Sequence, residues 1–344
     1  MRKTGVVSER TAERGKKIIF GKTLSVLETM KKTFFASLWM LLAVAGQAKT
    51  NEIVVAKDGS GDFRSLQAAI NSVRVFSSDS TRILVKNGVY DEKVVIPMTH
   101  HRIAIVGEDA EKTVIRNNDY AAKNDMGTFR TYTMLIAGND IALENLTVEN
   151  WAGRVGQAVA LHTEGDRLVF RNCRIIGNQD TIYTGNKDGR QYYVNCYIEG
   201  TTDFIFGPSP AWFEGCELRS KGNSYLTAAS TYPDTKFGYV FHRCKLTGDG
   251  TPGQRVYLGR PWRPYGATAF LFCELGAHIR PEGWHNWGNP ENERTARYAE
   301  YKNTGPGADM SGRVSWSRQL TDEEAAAYTV ENVFRLQNGW NPAR

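Results

Sequence analysis

The sequence predicts an all-β, single-domain parallel β-helix, and three observations carry that prediction. The segments LVFRNCRIIG, QYYVNCYIEG, AWFEGCELRS, YVFHRCKLTG and TAFLFCELGA each run from an aromatic or apolar lead through Cys to Ile or Leu two positions later. Their cysteines, Cys173, Cys196, Cys216, Cys244 and Cys273, are spaced by 23, 20, 28 and 29 residues, the period of coils whose short alternating strands complete one another's core. The clear helix signals lie toward the two ends, where an open coil would otherwise expose core and unpaired strand edges.

Residues 1–48 read as a leader. They hold nine Lys and Arg against three acids, leaving 34 of each sign in the rest of the chain. The basicity therefore belongs to the leader and gives no reason to expect a nucleic-acid partner. Within it, Met30-Lys31-Lys32 precedes TFFASLWMLLAVAGQA, a short apolar run ending in small residues, as in a secretory signal. The run is too short to span a bilayer comfortably. Residues 30–48 are the signal proper, Met30 is the expected start, and cleavage is expected after Ala48. Export to the periplasm or the exterior follows, with no membrane attachment once the signal is removed.

Residues 49–344 form the β-helix domain. SLQAAINSVRVF, from Ser65, reads as a short amphipathic helix capping the N-terminal end. DIALENLTVEN is an earlier, cysteine-free member of the repeat, with Asn145 in the cysteine slot. The cysteines are expected to form an interior ladder of small apolar side chains rather than a reactive or metal-binding set. The chain has no CxxC or HExxH spacing, and neither metal nor cofactor is expected. Whether neighbouring thiols are bridged stays open. Thr321 and Glu324 stand at capping-box spacing in TDEEAAAYTV, so a helical and loop cap is expected at the C-terminal end.

The repeat also places the chemistry. Asp180 and Asp203 each lie seven residues after a cysteine, and Gln157, Asp180 and Asp203 follow one another at 23-residue intervals. With 23 residues to the coil, the three occupy equivalent positions on successive coils about 4.8 Å apart. Two carboxylates that close cannot both ionise cheaply in a partly dry site, and one is driven to keep its proton. That arrangement yields an acid and a nucleophile or base at one pH. Gln157 and Gln179 add neutral amide donors of the kind that stabilise an oxyanion.

With those residues in place, the chain resembles the pectin methylesterases. NGVYDEKV, GQAVAL, QDTIY, DFIFG and LGRPW occur in that family's order, flanked by VAKDGSGDFRSLQAAI before and by PEGWHNW, EYKNTGPGA, RVSW and NGWNPA after. The resemblance implies a right-handed coil and an enzyme that removes methyl esters from galacturonan chains, its partner being methylated pectin and its working form a monomer. It implies Asp203 as nucleophile, Asp180 as general acid and then base, and Gln157 and Gln179 as the oxyanion-stabilising pair. Arg260 of LGRPW would hold the nucleophilic carboxylate. Trp262 would pack on a sugar ring, and Thr128 of GTFRTYT would touch substrate. Thr131-Tyr132-Thr133 departs from the family's common Ser-Ala-Thr, which bears on the shape of the cleft near Thr128.

Two rival readings use the same scaffold. A glycosidase or lyase would leave both glutamines without a task, and no dense set of acids suited to calcium lies near them. A non-catalytic carbohydrate-binding β-helix would need aromatic platforms but no pair of unlike-titrating carboxylates. Serine-esterase chemistry lacks its GxSxG elbow.

Overall fold

A row of stacked rings shows how the chain winds. In the computed structural model, which describes residues 49–335 and 340–343, Phe170, Tyr193, Phe213, Phe241 and Phe270 stack face to face with centroids 4.4 to 4.5 Å apart. Each ring comes from the same position of successive strands, so the row follows the spacing of hydrogen-bonded neighbours. The strands form three wholly parallel sheets of eleven, seven and eight. One coil illustrates the path. Leu168–Arg171 lies in the eleven-stranded sheet, Arg174–Ile176 in the eight-stranded and Ile182–Thr184 in the seven-stranded, before Gln191–Val194 returns beside Leu168–Arg171. This is a parallel β-helix.

The turn between the eleven- and eight-stranded sheets has two residues, and they explain the repeat. Asn145, Asn172, Asn195, Gly215, Arg243 and Phe272 all take left-handed backbone, with φ from 49 to 59°. Asn and Gly enter that region most readily. The buried residue then follows: Leu146, Cys173, Cys196, Cys216, Cys244 or Cys273. The ladder register, with Arg171 opposite Glu144, places Asn145 beside Asn172 and gives the cysteine slot of the early repeat to Leu146. This corrects the assignment of that slot to Asn145, whose side chain instead accepts a hydrogen bond of 2.7 Å from the Asn172 amide.

All five cysteines are buried and unbridged. Each Sγ donates to a carbonyl of the preceding coil: Cys173 to Leu143, Cys196 to Phe170, Cys216 to Tyr193, Cys244 to Phe213 and Cys273 to Phe241. Burial pushes the thiols of Cys173, Cys216 and Cys244 up. Thiols held in the protonated form are poor nucleophiles and poor ligands.

The N-terminal end is closed as expected, by a shorter helix. Leu66–Ser72 starts at the Ser65 cap and buries Leu66, Ala69 and Ile70. The Glu92 carboxylate accepts from the first free amides, those of Leu66 and Gln67, both at 3.0 Å. An acceptor with negative charge at a helix start satisfies orphan donors and suits the dipole.

The C-terminal end differs from the expectation. The capping box at Thr321 forms, but the helices Asp322–Ala325 and Val330–Phe334 lie along the outside of the eleven-stranded sheet. Ala325, Val333 and Phe334 belong to a cluster with Val169, Tyr192, Trp212 and Val240. Those strands are apolar on both faces, so the outer face needs a cover and the helices supply it. Val314 and Trp316 pack against the interior core itself, with Trp316 5.9 Å from the Tyr298 ring. Beside them Arg313 donates to both oxygens of Glu300, at 2.8 and 3.1 Å. The leader and its signal pattern lie outside the described residues, among which no helix is long and apolar enough to cross a membrane.

Candidate active site

The seven-stranded sheet carries the candidate residues at its edge. Ile182 pairs with Ile205, so Asp180 and Asp203, each two residues earlier, are equivalent positions on adjacent coils. Both have left-handed backbone, with φ of 65° and 48°. Aspartate tolerates this region better than most side chains, and such residues recur at functional sites. Their backbone amides are anchored to the next coil, Asp180 to the Thr202 carbonyl at 3.0 Å and Asp203 to the Tyr225 carbonyl at 2.8 Å.

Gln157 does not share that row. It pairs with Gln179 rather than with Asp180. The Thr181 carbonyl accepts from both Ala160 and Leu161, the mark of a β-bulge that takes up one residue and shifts the register. Equal spacing in sequence thus overstated the equivalence. The site has two rows side by side, an amide pair and a carboxylate pair.

One cleft of about 390 Å³ is lined by Thr128, Gln157, Gln179, Asp180, Asp203, Arg260 and Trp262, with Phe129, Phe206, Ala228 and Trp287. All seven residues singled out in the sequence therefore meet. Arg260 grips Asp203 through two hydrogen bonds, Nε to Oδ1 at 2.9 Å and Nη2 to Oδ2 at 2.6 Å. The two carboxylates are 8 % and 6 % exposed, Asp180 and Asp203 respectively, and their surroundings treat them differently. Burial, and then the charge of Asp203, push the Asp180 carboxyl well above the usual carboxylate range. Burial pushes Asp203 up as well, but the Arg260 hydrogen bond and charge pull it back. Both carboxyls are pushed up, Asp180 the more strongly, and Arg260 favours the anion at Asp203.

Four lining residues were not singled out. Phe206 lies within DFIFG, Phe129 within GTFRTYT and Trp287 within PEGWHNW, but adjacency to a motif does not say which way a ring points. Phe129 and Trp262 stand 6.5 Å apart across the cleft and Phe206 and Trp262 5.7 Å, giving it apolar walls. Tyr183 sits behind them, 4.8 Å from Phe129 and 4.9 Å from Phe206, and lines a neighbouring cavity of about 470 Å³ with Trp262. Thr131 and Thr133 are fully buried, and Tyr132 packs on His162 at 5.7 Å. The departure at 131–133 therefore supports the cleft wall from behind rather than lining it.

An amide pair, a carboxylate pair and aromatic walls thus meet in one open cleft on a parallel β-helix. Residues 52–337 match the pectinesterase family model. The chain is 42% identical over 292 residues to pectinesterase 31 of Arabidopsis thaliana, covering 82% of this chain and 91% of that one. Among solved structures, the pectin methylesterase from carrot superposes with a TM-score of 0.79 at 32% identity, over 82% of this chain and 92% of that one. A pectin methylesterase in complex with a hexasaccharide superposes with a TM-score of 0.75 at 31% identity, over 86% of this chain and all of that one. The chain belongs to the pectinesterase family, and its coil is the right-handed parallel β-helix of those enzymes.

Proposed function

We propose that Asp203 is the nucleophile, and Asp180 the general acid and then base, in the demethylation of pectin that family membership assigns to this enzyme. An Asp203 oxygen adds to the methyl-ester carbonyl. The tetrahedral oxyanion takes hydrogen bonds from the Gln157 and Gln179 amides. Asp180 passes its proton to the methoxy oxygen, the carbon–oxygen bond breaks and methanol leaves. An acyl–Asp203 anhydride remains. Asp180, now a carboxylate, takes a proton from water as the hydroxyl adds to the acyl carbon. Collapse expels the Asp203 carboxylate and frees a galacturonic acid that ionises in solvent. Trp262 offers a face to a sugar ring and Thr128 a hydroxyl to the chain.

One observation carries this reading: two register-equivalent carboxylates are treated unequally, with Arg260 bidentate on Asp203 and, among the described residues, no hydrogen bond donated to the Asp180 carboxyl. Every group used is a side chain of a single chain, so the reading needs no cofactor and takes the monomer as the working unit. The leader pattern supports export. The test is incubation with highly methylated pectin, assayed for methanol, new reducing ends and unsaturated sugars. Methanol alone is expected. Asp203→Asn is expected to abolish its release while circular dichroism and pectin binding are unchanged, and full turnover by that variant would overturn the assignment.

A further inference from the structure

The guanidinium of Arg260 is covered on both faces. Its Cζ lies 3.8 Å from the centroid of the Tyr225 ring and 3.7 Å from that of Trp287. Contacts this short over two ring faces are at the close end of cation–π geometry, and they leave only the rim of the planar group free to donate. From that rim the Nε and Nη2 donors go to Asp203.

Both rings are held by built structure. The Tyr225 carbonyl accepts the Asp203 amide at 2.8 Å, so one residue anchors the backbone of the carboxylate and the face of its partner. The Tyr225 ring is itself stacked on Tyr257 at 5.3 Å with planes 11° apart. Trp287 has left-handed backbone, with φ of 62°, in a loop that specifies this conformation. Its amide donates to His285 Nδ1 at 3.0 Å, and the next amide, Gly288, donates to Asn286 Oδ1 at 2.9 Å. Asn286 Nδ2 in turn donates to Glu293 at 2.7 Å, and Asn292 Nδ2 donates to the Asn286 carbonyl at 3.0 Å. The indole is 37 % exposed and borders the cleft, where a stacking platform for sugar would be the ordinary expectation. One of its two faces is already occupied by the guanidinium.

We infer that Trp287, with Tyr225, is a positioning residue: the two rings clamp Arg260 so that its fork stays bidentate on Asp203 throughout turnover. The inference rests on Asp203 as the nucleophile. A guanidinium free to rotate or to pair with the newly formed product carboxylate would let Asp203 leave its attack geometry. A clamped one cannot swing, and a displacement of about 1 Å in a reacting group is enough to cost on the order of a hundredfold in rate. The clamp therefore acts on kcat rather than on affinity.

The test is a double-mutant cycle on the full mature enzyme with highly methylated pectin. Trp287→Leu keeps bulk without a π face and is expected to lower kcat about tenfold with KM changed less than about threefold, whereas Trp287→Phe retains most of the rate. In an Arg260→Lys background, which removes the planar fork, Trp287→Leu is expected to cost less than about twofold, because coupled residues are not additive. Tyr225→Leu, run through the same cycle, covers the case in which a Trp287 variant fails to fold by thermal melting. A rise in KM at unchanged kcat would overturn the inference in favour of a sugar platform. An undiminished loss in the Arg260→Lys background would overturn it in favour of general loop support. Turnover by Asp203→Asn would instead defeat the nucleophile assignment, which the cycle does not measure.

Discussion

Arg260 grips Asp203 and Arg313 grips Glu300 through the same two-pronged contact, and in both pairs the carboxylate is buried. What differs is the use made of the remaining polar atoms. At the C-terminal end the side chains of Arg313 and Glu300 are 3 % and 1 % exposed. Arg313 also donates to the carbonyls of Arg280, Pro281 and Gly307, and Trp284 Nε1 donates to Glu300 at 3.2 Å. That pair is saturated and ties together EYKNTGPGA, RVSW and PEGWHNW. In the cleft the partners of Arg260 beyond Asp203 are ring faces, and beside Asp203 stands Asp180, a second carboxyl. A buried ion pair does not by itself mark chemistry. Unspent hydrogen-bonding capacity beside an unlike-titrating neighbour does.

The comparison can be broken at either pair. Neutralising Asp203 as Asn is expected to cost on the order of ten-thousandfold or more in methanol release with the melting temperature nearly unchanged. Glu300→Gln should do the opposite. It strands a buried guanidinium and is expected to cost about 3–5 kcal/mol in denaturant unfolding, while kcat of the folded fraction holds. Loss of turnover without loss of stability in Glu300→Gln would show that the saturated pair also serves the cleft.

Two further measurements sharpen the contrast within the cleft. In the proposed mechanism Gln179→Ala removes one oxyanion donor, and it is expected to lower kcat about a hundredfold with little change in KM, read by steady-state methanol release. Asp180→Asn should be inactive yet more stable than the parent at neutral pH. The folded pKa of Asp180 is raised, so the folded form binds its proton more tightly than the unfolded chain does. Its stabilising contribution is complete below the unfolded value of about 4 and declines as pH rises through the raised one. The melting-temperature gain of Asp180→Asn should therefore grow with pH and vanish near pH 4. A constant gain would mean that packing, not titration, separates the two proteins. In the proposed mechanism the same shift sets the alkaline limb of kcat/KM, since the first step needs Asp180 protonated, and ionisation of Asp203 sets the acid limb.

Most of the coil and half of the site were legible in the sequence, because each coil must bury its own inward residues. That local demand wrote the Cys-x-Ile/Leu repeat, the Asp180 and Asp203 spacing and the Ser65 cap into the order of residues. Errors arose wherever one coil had to be set against another. The repeat puts Asn145 in the buried slot, because the left-handed turn at Asn145 that makes Leu146 the inward residue shows only as a φ angle. The spacing aligns Gln157 with Asp180, because a bulge at Ala160–Leu161 leaves no mark in it. The C-terminal helices were expected over the end of the coil, whereas apolar outward residues such as Trp212 and Val240 draw them along its side.

By itself, then, the sequence determined a stacked coil, its interior thiols and a pair of aspartates one coil apart, because periodic burial is a property of neighbours along the chain. Only the tertiary structure decided which carboxylate an arginine holds. That choice rests on Arg260, 57 residues beyond Asp203, and on the rings of Tyr225 and Trp287 that cover it. Loops of unequal length bring these groups together, and a charge buried in a cleft takes its protonation state from what surrounds it in space.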